Sequence, residues 1–228
     1  MINKWNFRTP TSEELRERDR LAADLGISPV ISLLLVQRGI TSADEAKRFF
    51  KPSLSDLHDP FLMPDMEKAV NRLNQALGDK EKILVYGDYD VDGTTAVSLV
   101  YKYLRPYTST LDYYIPDRYD EGSGISIKGI DYAAEQGVTL IISLDCGIKA
   151  IEKIEYAKEK GIDFIICDHH MPDDVLPNAV AVLDAKRSDS IYPYEHLSGC
   201  GVGFKLMQAF AKSNGIPFSM LIPLLDFC

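Results

Sequence analysis

From Lys82 onward the chain repeats one pattern: a short β-rich run, a turn containing Gly or Asp, then a helical stretch. The runs are KILVYG, LDYYIP, TLIISL, DFIIC and AVAVL. Short, nearly continuous apolar runs alternating with helices of about 10–15 residues specify βαβ units on a parallel sheet covered on both faces. The expected class is therefore α/β, a parallel sheet of about five strands flanked by helices.

The preceding residues read differently. EELRERDRLAADLG, SPVISLLLVQRG, TSADEAKRFF and PDMEKAVNRLNQALG are helical segments that each open with a cap residue or Pro, and three of the four close on Gly. KPSLSDLHDPFLM is polar and interrupted by Pro, and reads as a loop. This divides the chain into a helical leader over residues 1–80, which carries no catalytic constellation, and a sheet domain over 81–228.

A chain of 228 residues with 46% hydrophobic and 26% charged content can bury a substantial core. No apolar run approaches the roughly 20 residues of a membrane-spanning helix, and MINKWNFRTP lacks the basic-then-apolar layout of a secretory signal. A cytoplasmic location without membrane contact is expected. Cys146, Cys167, Cys200 and Cys228 form no C-x-x-C pair and read as reduced, small core residues. The net charge of −9 argues against a broad basic surface for nucleic acid, so any grip on DNA must be local, metal-mediated or supplied by further sequence.

The reactive residues fall at the ends of the strands. Asp88, Asp90 and Asp92 follow the first, Asp117 the second, Asp145 the third, and Asp168, His169 and His170 the fourth. In open α/β sheets, ligands bind in the crevice beyond the carboxyl ends of the strands, near the point where strand order reverses. Carboxylates crowded there repel one another, and divalent cations remove that difficulty. Asp oxygen and His nitrogen suit Mn²⁺ or Mg²⁺, although His also accepts zinc. A pair of such ions is a clamp for phosphoryl hydrolysis. If Asp145 and His169 share it, their ligand atoms lie within roughly 8 Å of each other.

Two other readings of GDYDVDGTTA fit less well. As D-x-D-x-D-G it starts like an EF-hand loop, but its twelfth position is Leu99 instead of a bidentate Glu, and a strand precedes it. As DVDGTT it resembles the haloacid-dehalogenase nucleophile motif, yet Gly87, Asp88 and Tyr89 separate it from the strand end, and that chemistry has no use for Asp-His-His. Adjacent histidines in a loop are often merely solvated. Here the strand end IIC before them and Asp145 after the previous strand favour metal binding, with Asp168 either holding a histidine ring or ligating. Asp92 reads as either a metal ligand or a turn-stabilising residue, with the turn favoured, and Asp117 as a loop cap.

GDYDVDGTTA, IPDRYDEGSG, SLDCG, CDHHMP and LSGCGVGFKL, in this order and spacing, resemble the motifs of the RecJ exonucleases in the DHH phosphoesterase superfamily. The N-terminal helices also look like that family's leader. The resemblance implies that Asp88, Asp90, Asp145 and His169 ligate a pair of Mn²⁺ or Mg²⁺ ions, with Asp145 bridging them and His170 placed at metal or scissile phosphate. It implies that Arg118 and the EGSG turn contact a substrate phosphate, and that Gly199, Gly201 and Gly203 let a nucleic-acid strand approach the backbone. The implied reaction is stepwise 5′-to-3′ hydrolysis of single-stranded DNA in repair and recombination, with repair proteins as further partners.

The chain departs from the family pattern at Ser123, where an aromatic is usual, and at Cys146, where Asn is usual. It stops at LIPLLDFC, where the family continues toward another metal-binding aspartate and a DHH-associated second domain, both expected to be absent here. Two alternatives remain at this level. One is a phosphodiesterase of the same superfamily acting on short oligonucleotides or cyclic dinucleotides. The other is a non-catalytic DNA-binding scaffold, which would not need Asp88, Asp90, Asp145, His169 and His170 together.

Overall fold

The computed structural model describes residues 6–228. They divide into two compact units, one ending at Leu57 and the other spanning His58–Cys228. The first holds α1 (Ser12–Leu25), α2 (Pro29–Val36) and α3 (Ala43–Phe50) around Leu21, Leu35, Val36 and Ala46. Local sequence sets these helices. Thr11 with Glu14 and Ser42 with Glu45 form capping boxes, and Ser28 caps α2 ahead of Pro29 at its first position. The loop predicted over 51–63 contains two short 3₁₀ turns, Leu54–Asp56 and Pro60–Leu62.

The fourth predicted helix, α4 (Met66–Gly78), lies in the second unit, so the unit boundary falls before it and not at residue 80. The reason is its stripe of Met66, Ala69, Val70, Leu73 and Ala76, which is buried against the sheet domain. The strands are β1 (Lys82–Gly87), β2 (Leu111–Tyr114), β3 (Val138–Leu144), β4 (Asp163–Cys167) and β5 (Ala181–Leu183). They form one sheet in the order β2-β1-β3-β4-β5, parallel throughout, as expected.

Alternate residues serve the two faces. Leu84, Tyr86, Ile141, Phe164, Ile166 and Val182 share a core with Ile130 and Ala133 of α6 (Ile127–Glu135) and Ile154 and Ala157 of α7 (Ile151–Glu159). On the other side α4, α5 (Val91–Leu104) and α8 (Gly199–Ser213) pack on one another and on the strands. The link from β4 to β5 has no helix. Pro172 and Pro177 remove backbone donors from that stretch and restrict the residues before them. Strand order reverses between β1 and β3, which opens the crevice at their carboxyl ends.

Candidate metal centre

Each strand delivers its reactive residue by a different local device. Asp90, just beyond β1, is the N-cap of α5, and its Oδ1 accepts the Gly93 N–H at 3.0 Å. Asp88 Oδ1 accepts from Tyr89 N at 2.7 Å and from Gly124 N at 3.4 Å. Tyr86 pins the same loop, its hydroxyl donating to the Gly124 carbonyl and accepting from the Ser126 N–H. Asp145 directly follows β3 with φ of 59°, a left-handed conformation that few non-Gly residues adopt, and its N–H continues the ladder to the Cys167 carbonyl. Such an outlier persists only where the surroundings over-determine it, and it is common at functional sites.

Asp145 is 3% exposed, and its Oδ1 has no hydrogen-bond partner although it lies 3.0 Å from His169 Nε2. Burial, followed by the charges of Asp92, Asp90 and Asp168, pushes its carboxyl up to about 8. Burial and neighbouring His170 hold the His169 imidazole below its ordinary value, so it is neutral at pH 7 with a nitrogen lone pair to offer. Ligand atoms of Asp145, His169 and His170 all lie within 4.8 Å of one another. A buried, unpartnered oxygen beside two imidazoles and an excess of acids is a donor set suited to a divalent cation.

Asp168 is buried beneath the cluster and holds it together. Its Oδ2 accepts the Ile148 N–H at 2.9 Å, and its Oδ1 accepts the His169 N–H at 2.7 Å and His170 Nδ1 at 2.7 Å. Because a carboxylate only accepts, His170 carries its proton on Nδ1 and keeps the lone pair on Nε2. A cleft of about 330 Å³ adjoins the cluster, lined among others by Asp88, Ser123, Gly124, Lys153, Asp168 and His170. Arg118 is exposed, with its guanidinium 5.3 Å from the centre of the Tyr89 ring. Asp117 Oδ1 accepts the N–H groups of Tyr119 and Asp120, the loop-capping role expected for it.

One acid was underweighted in the sequence and one was missed. Asp92 does more than stabilise a turn: its two oxygens accept the N–H groups of Gly199 and Cys200 at 2.7 Å each, and Oδ2 lies 3.6 Å from His169 Nε2. Nothing local signals a bond spanning more than a hundred residues. Asp184, directly after β5, is fully buried, with Oδ1 on the Lys186 N–H and Oδ2 without a partner. Burial pushes its carboxyl up to about 6. Its signal was available, because it follows AVAVL as Asp145 follows TLIISL.

The reading of Gly199, Gly201 and Gly203 as a surface for a nucleic-acid strand needs correction. All three are buried in α8. A Cβ at Gly199 would sit 2.5 Å from Asp145 Cβ, and one at Gly203 would sit 2.9 Å from Leu144 Cδ2. Gly201 is nearest Leu197, and its N–H already serves Ser198 Oγ. The missing side chains at Gly199 and Gly203 let α8 close onto the end of β3. Cys228 is exposed instead of buried, whereas Cys146, Cys167 and Cys200 are buried as expected, and all four are free thiols.

Residues 82–226 match the sequence profile of the DHH family, N-terminal domain. The single-stranded-DNA-specific exonuclease RecJ of Bacillus subtilis is 39% identical over 206 residues, covering 90% of this chain and 26% of that protein. The enzyme of the same name from Escherichia coli is 36% identical over 206 residues, covering 89% of this chain and 35% of that protein. The crystal structure of RecJ in complex with Mn²⁺ from Thermus thermophilus superposes with a TM-score of 0.69 at 26% identity, over 91% of this chain and 28% of that one. A second crystal structure, of exonuclease RecJ bound to manganese, gives a TM-score of 0.62 at 30% identity over 68% of this chain and 39% of its own. The chain thus spans 26% and 35% of the two curated relatives.

Proposed function

The chain belongs to the DHH family, and from that premise we propose that it carries the metal-dependent hydrolytic centre of a 5′-to-3′ exonuclease for single-stranded DNA. The observation that carries this reading is Asp145, a buried carboxylate with an unpartnered oxygen 3.0 Å from His169 Nε2. The exonuclease names of relatives at 39% and 36% identity support the substrate and the reaction. A cytoplasmic place in DNA repair and recombination, with repair proteins as partners, follows from the same reading. Among the described residues no helix is long and apolar enough to cross a membrane.

In this centre Asp145 and His169 hold Mn²⁺ or Mg²⁺, with Asp88, Asp90 and Asp92 from the β1 end supplying further carboxylate oxygens. Two such ions, when bound, lower the pKa of water and neutralise charge on the attacked phosphate. His170, its ring fixed through Nδ1 by Asp168, lines the cleft where the scissile phosphate would lie. Arg118, lying over Tyr89 and otherwise exposed, is placed to pair with a phosphate of the incoming strand. Ser123, where the family has an aromatic, leaves that part of the cleft wall without a stacking ring. Residues 58–228 carry all of these groups, so we assign the chemistry to that unit.

The test is degradation of single strands labelled at the 5′ or the 3′ end, with Mn²⁺ and with the metal chelated. Metal-dependent release of mononucleotides from the 5′ end first is the expected result. Release from the 3′ end first would overturn the polarity, and hydrolysis confined to dinucleotides would overturn the substrate. Binding of DNA without hydrolysis under any divalent metal would identify a scaffold.

A further inference from the structure

Two histidines stand side by side at the cluster, yet they are held differently. The ring of His170 is fixed by its own hydrogen bond, Nδ1 to Asp168 Oδ1 at 2.7 Å. The ring of His169 makes no such bond through Nδ1 among the described residues, and its polar neighbours, Asp145 and Asp92, both lie on the Nε2 side. A metal-ligating histidine usually has its second ring nitrogen tied to a carboxylate or carbonyl, which sets the direction of the ligating one. His169 must be aimed by its backbone instead.

That backbone is gripped on both sides. Asp168 Oδ1 takes the N–H of His169, and the Lys186 ammonium donates to its carbonyl oxygen. Lys186 comes from the turn after β5, and Asp184 Oδ1 holds that turn by accepting the Lys186 N–H at 2.7 Å. The β4–β5 ladder runs through Cys167 opposite Leu183, and the Asp168 N–H adds one more bond to the Leu183 carbonyl. The two gripping residues therefore rise from adjacent strand ends of one rigid sheet.

We propose that Lys186, seated by Asp184, is a positioning residue for His169: it fixes the peptide carbonyl from which the unsupported imidazole is aimed at the metal. The inference rests on the metal-centre reading and adds to it a residue outside the donor set. Two effects of the ammonium oppose each other. As a positive charge it repels a bound cation, and as a clamp it preorganises a ligand. The clamp is the larger effect, because several carboxylates crowd the same cluster and one cation removes little of their field, whereas a mobile His169 removes a ligand.

The experiment is titration of the chain with Mn²⁺ by calorimetry, together with the electron paramagnetic resonance spectrum of the bound ion, for wild type, K186M and K186R. K186M keeps most of the aliphatic stem and should weaken Mn²⁺ binding by roughly tenfold or more. Its Mn²⁺ spectrum should change in zero-field splitting, and K186R should regain both affinity and spectrum. Unchanged binding and spectrum in K186M would overturn the proposal. So would tighter binding, which would show the ammonium acting only as a repelling charge, and so would failure of K186R to rescue. Absence of Mn²⁺ binding in the wild type would instead defeat the metal-centre reading, and this inference with it.

Discussion

At the amino end of the sheet, Arg72 donates through Nε to Asp163 at 2.7 Å and through both terminal nitrogens to Glu81, which also accepts from the Thr139 hydroxyl. At the carboxyl end, Asp145 and Asp184 are more deeply buried, and each keeps an oxygen without a partner. The same sheet thus presents acids at both ends, and at the carboxyl end two of them keep an unpartnered oxygen. Acids joined to the protein's own cation serve the fold. Acids left in excess, crowded beside two imidazoles, are arranged for a cation that comes from outside.

The sharpest way to break this contrast is Asp145→Ala. It should abolish Mn²⁺-dependent hydrolysis while leaving the metal-free fold intact, as read by nuclease assay and circular dichroism. Near-normal activity would remove Asp145 from the centre. At the opposite end, Arg72→Met should destabilise the chain by roughly 2–3 kcal/mol, below the ~3–5 of a fully buried pair because the Asp163 side chain remains 44% exposed. Urea denaturation measures this, and Mn²⁺ affinity should not move. A large loss of affinity there would show that the two ends are not independent.

The contrast also has a pH signature. Asp145 is pushed up to about 8 in the metal-free fold, whereas an unfolded Asp ionises near 3.9. Between those values the folded state holds a proton that the unfolded state has lost, so stability is fully present below the lower value and falls as pH rises toward the upper. The slope from this one group is at most about 1.4 kcal/mol per pH unit. Mn²⁺ takes the place of the proton, so its stabilising effect in thermal melts should grow from pH 6 to pH 8. A metal effect independent of pH would contradict this titration.

Gly199→Ala should have a smaller effect. The new Cβ would press on Asp145 Cβ at 2.5 Å, costing roughly 1–3 kcal/mol and loosening Mn²⁺ binding, as paired denaturation and metal titrations would record. Smallest of all, Arg118→Ala should weaken single-strand binding a few-fold with no change in stability or metal affinity, because the side chain is exposed and lies over the Tyr89 ring.

The parts that were legible in sequence are those with local causes. The three N-terminal helices follow from Thr11, Ser28 and Ser42 at their caps, and the five strands from short apolar runs bounded by turns. Asp145 and His169 could be paired because both stand at strand ends, and they lie at 3.0 Å, well inside the limit set for a shared ion. What failed depended on distant contacts. Asp92 looked like a turn residue because its partners are Gly199 and Cys200, and the α8 glycines looked outward-facing because nothing in LSGCGVGFKL shows which side meets Asp145. Asp184 stands at a strand end like Asp145, but no histidine or second acid directly beside it marks it as part of the site.

The bonds from Asp92 to the first turn of α8 also set an order of events during synthesis. The carboxylate leaves the ribosome long before its partners, which lie 107 and 108 residues later. At about 5–20 residues per second, the nascent chain carries Asp92 for roughly 5–20 s before α8 can receive it. Through that interval β1 and its acids exist without the helix that closes over Asp145, so the centre is completed only when this late helix docks. A ribosome stalled before residue 199 would therefore display the acidic loop but not the assembled site, which ties the onset of metal binding to the length of chain already made.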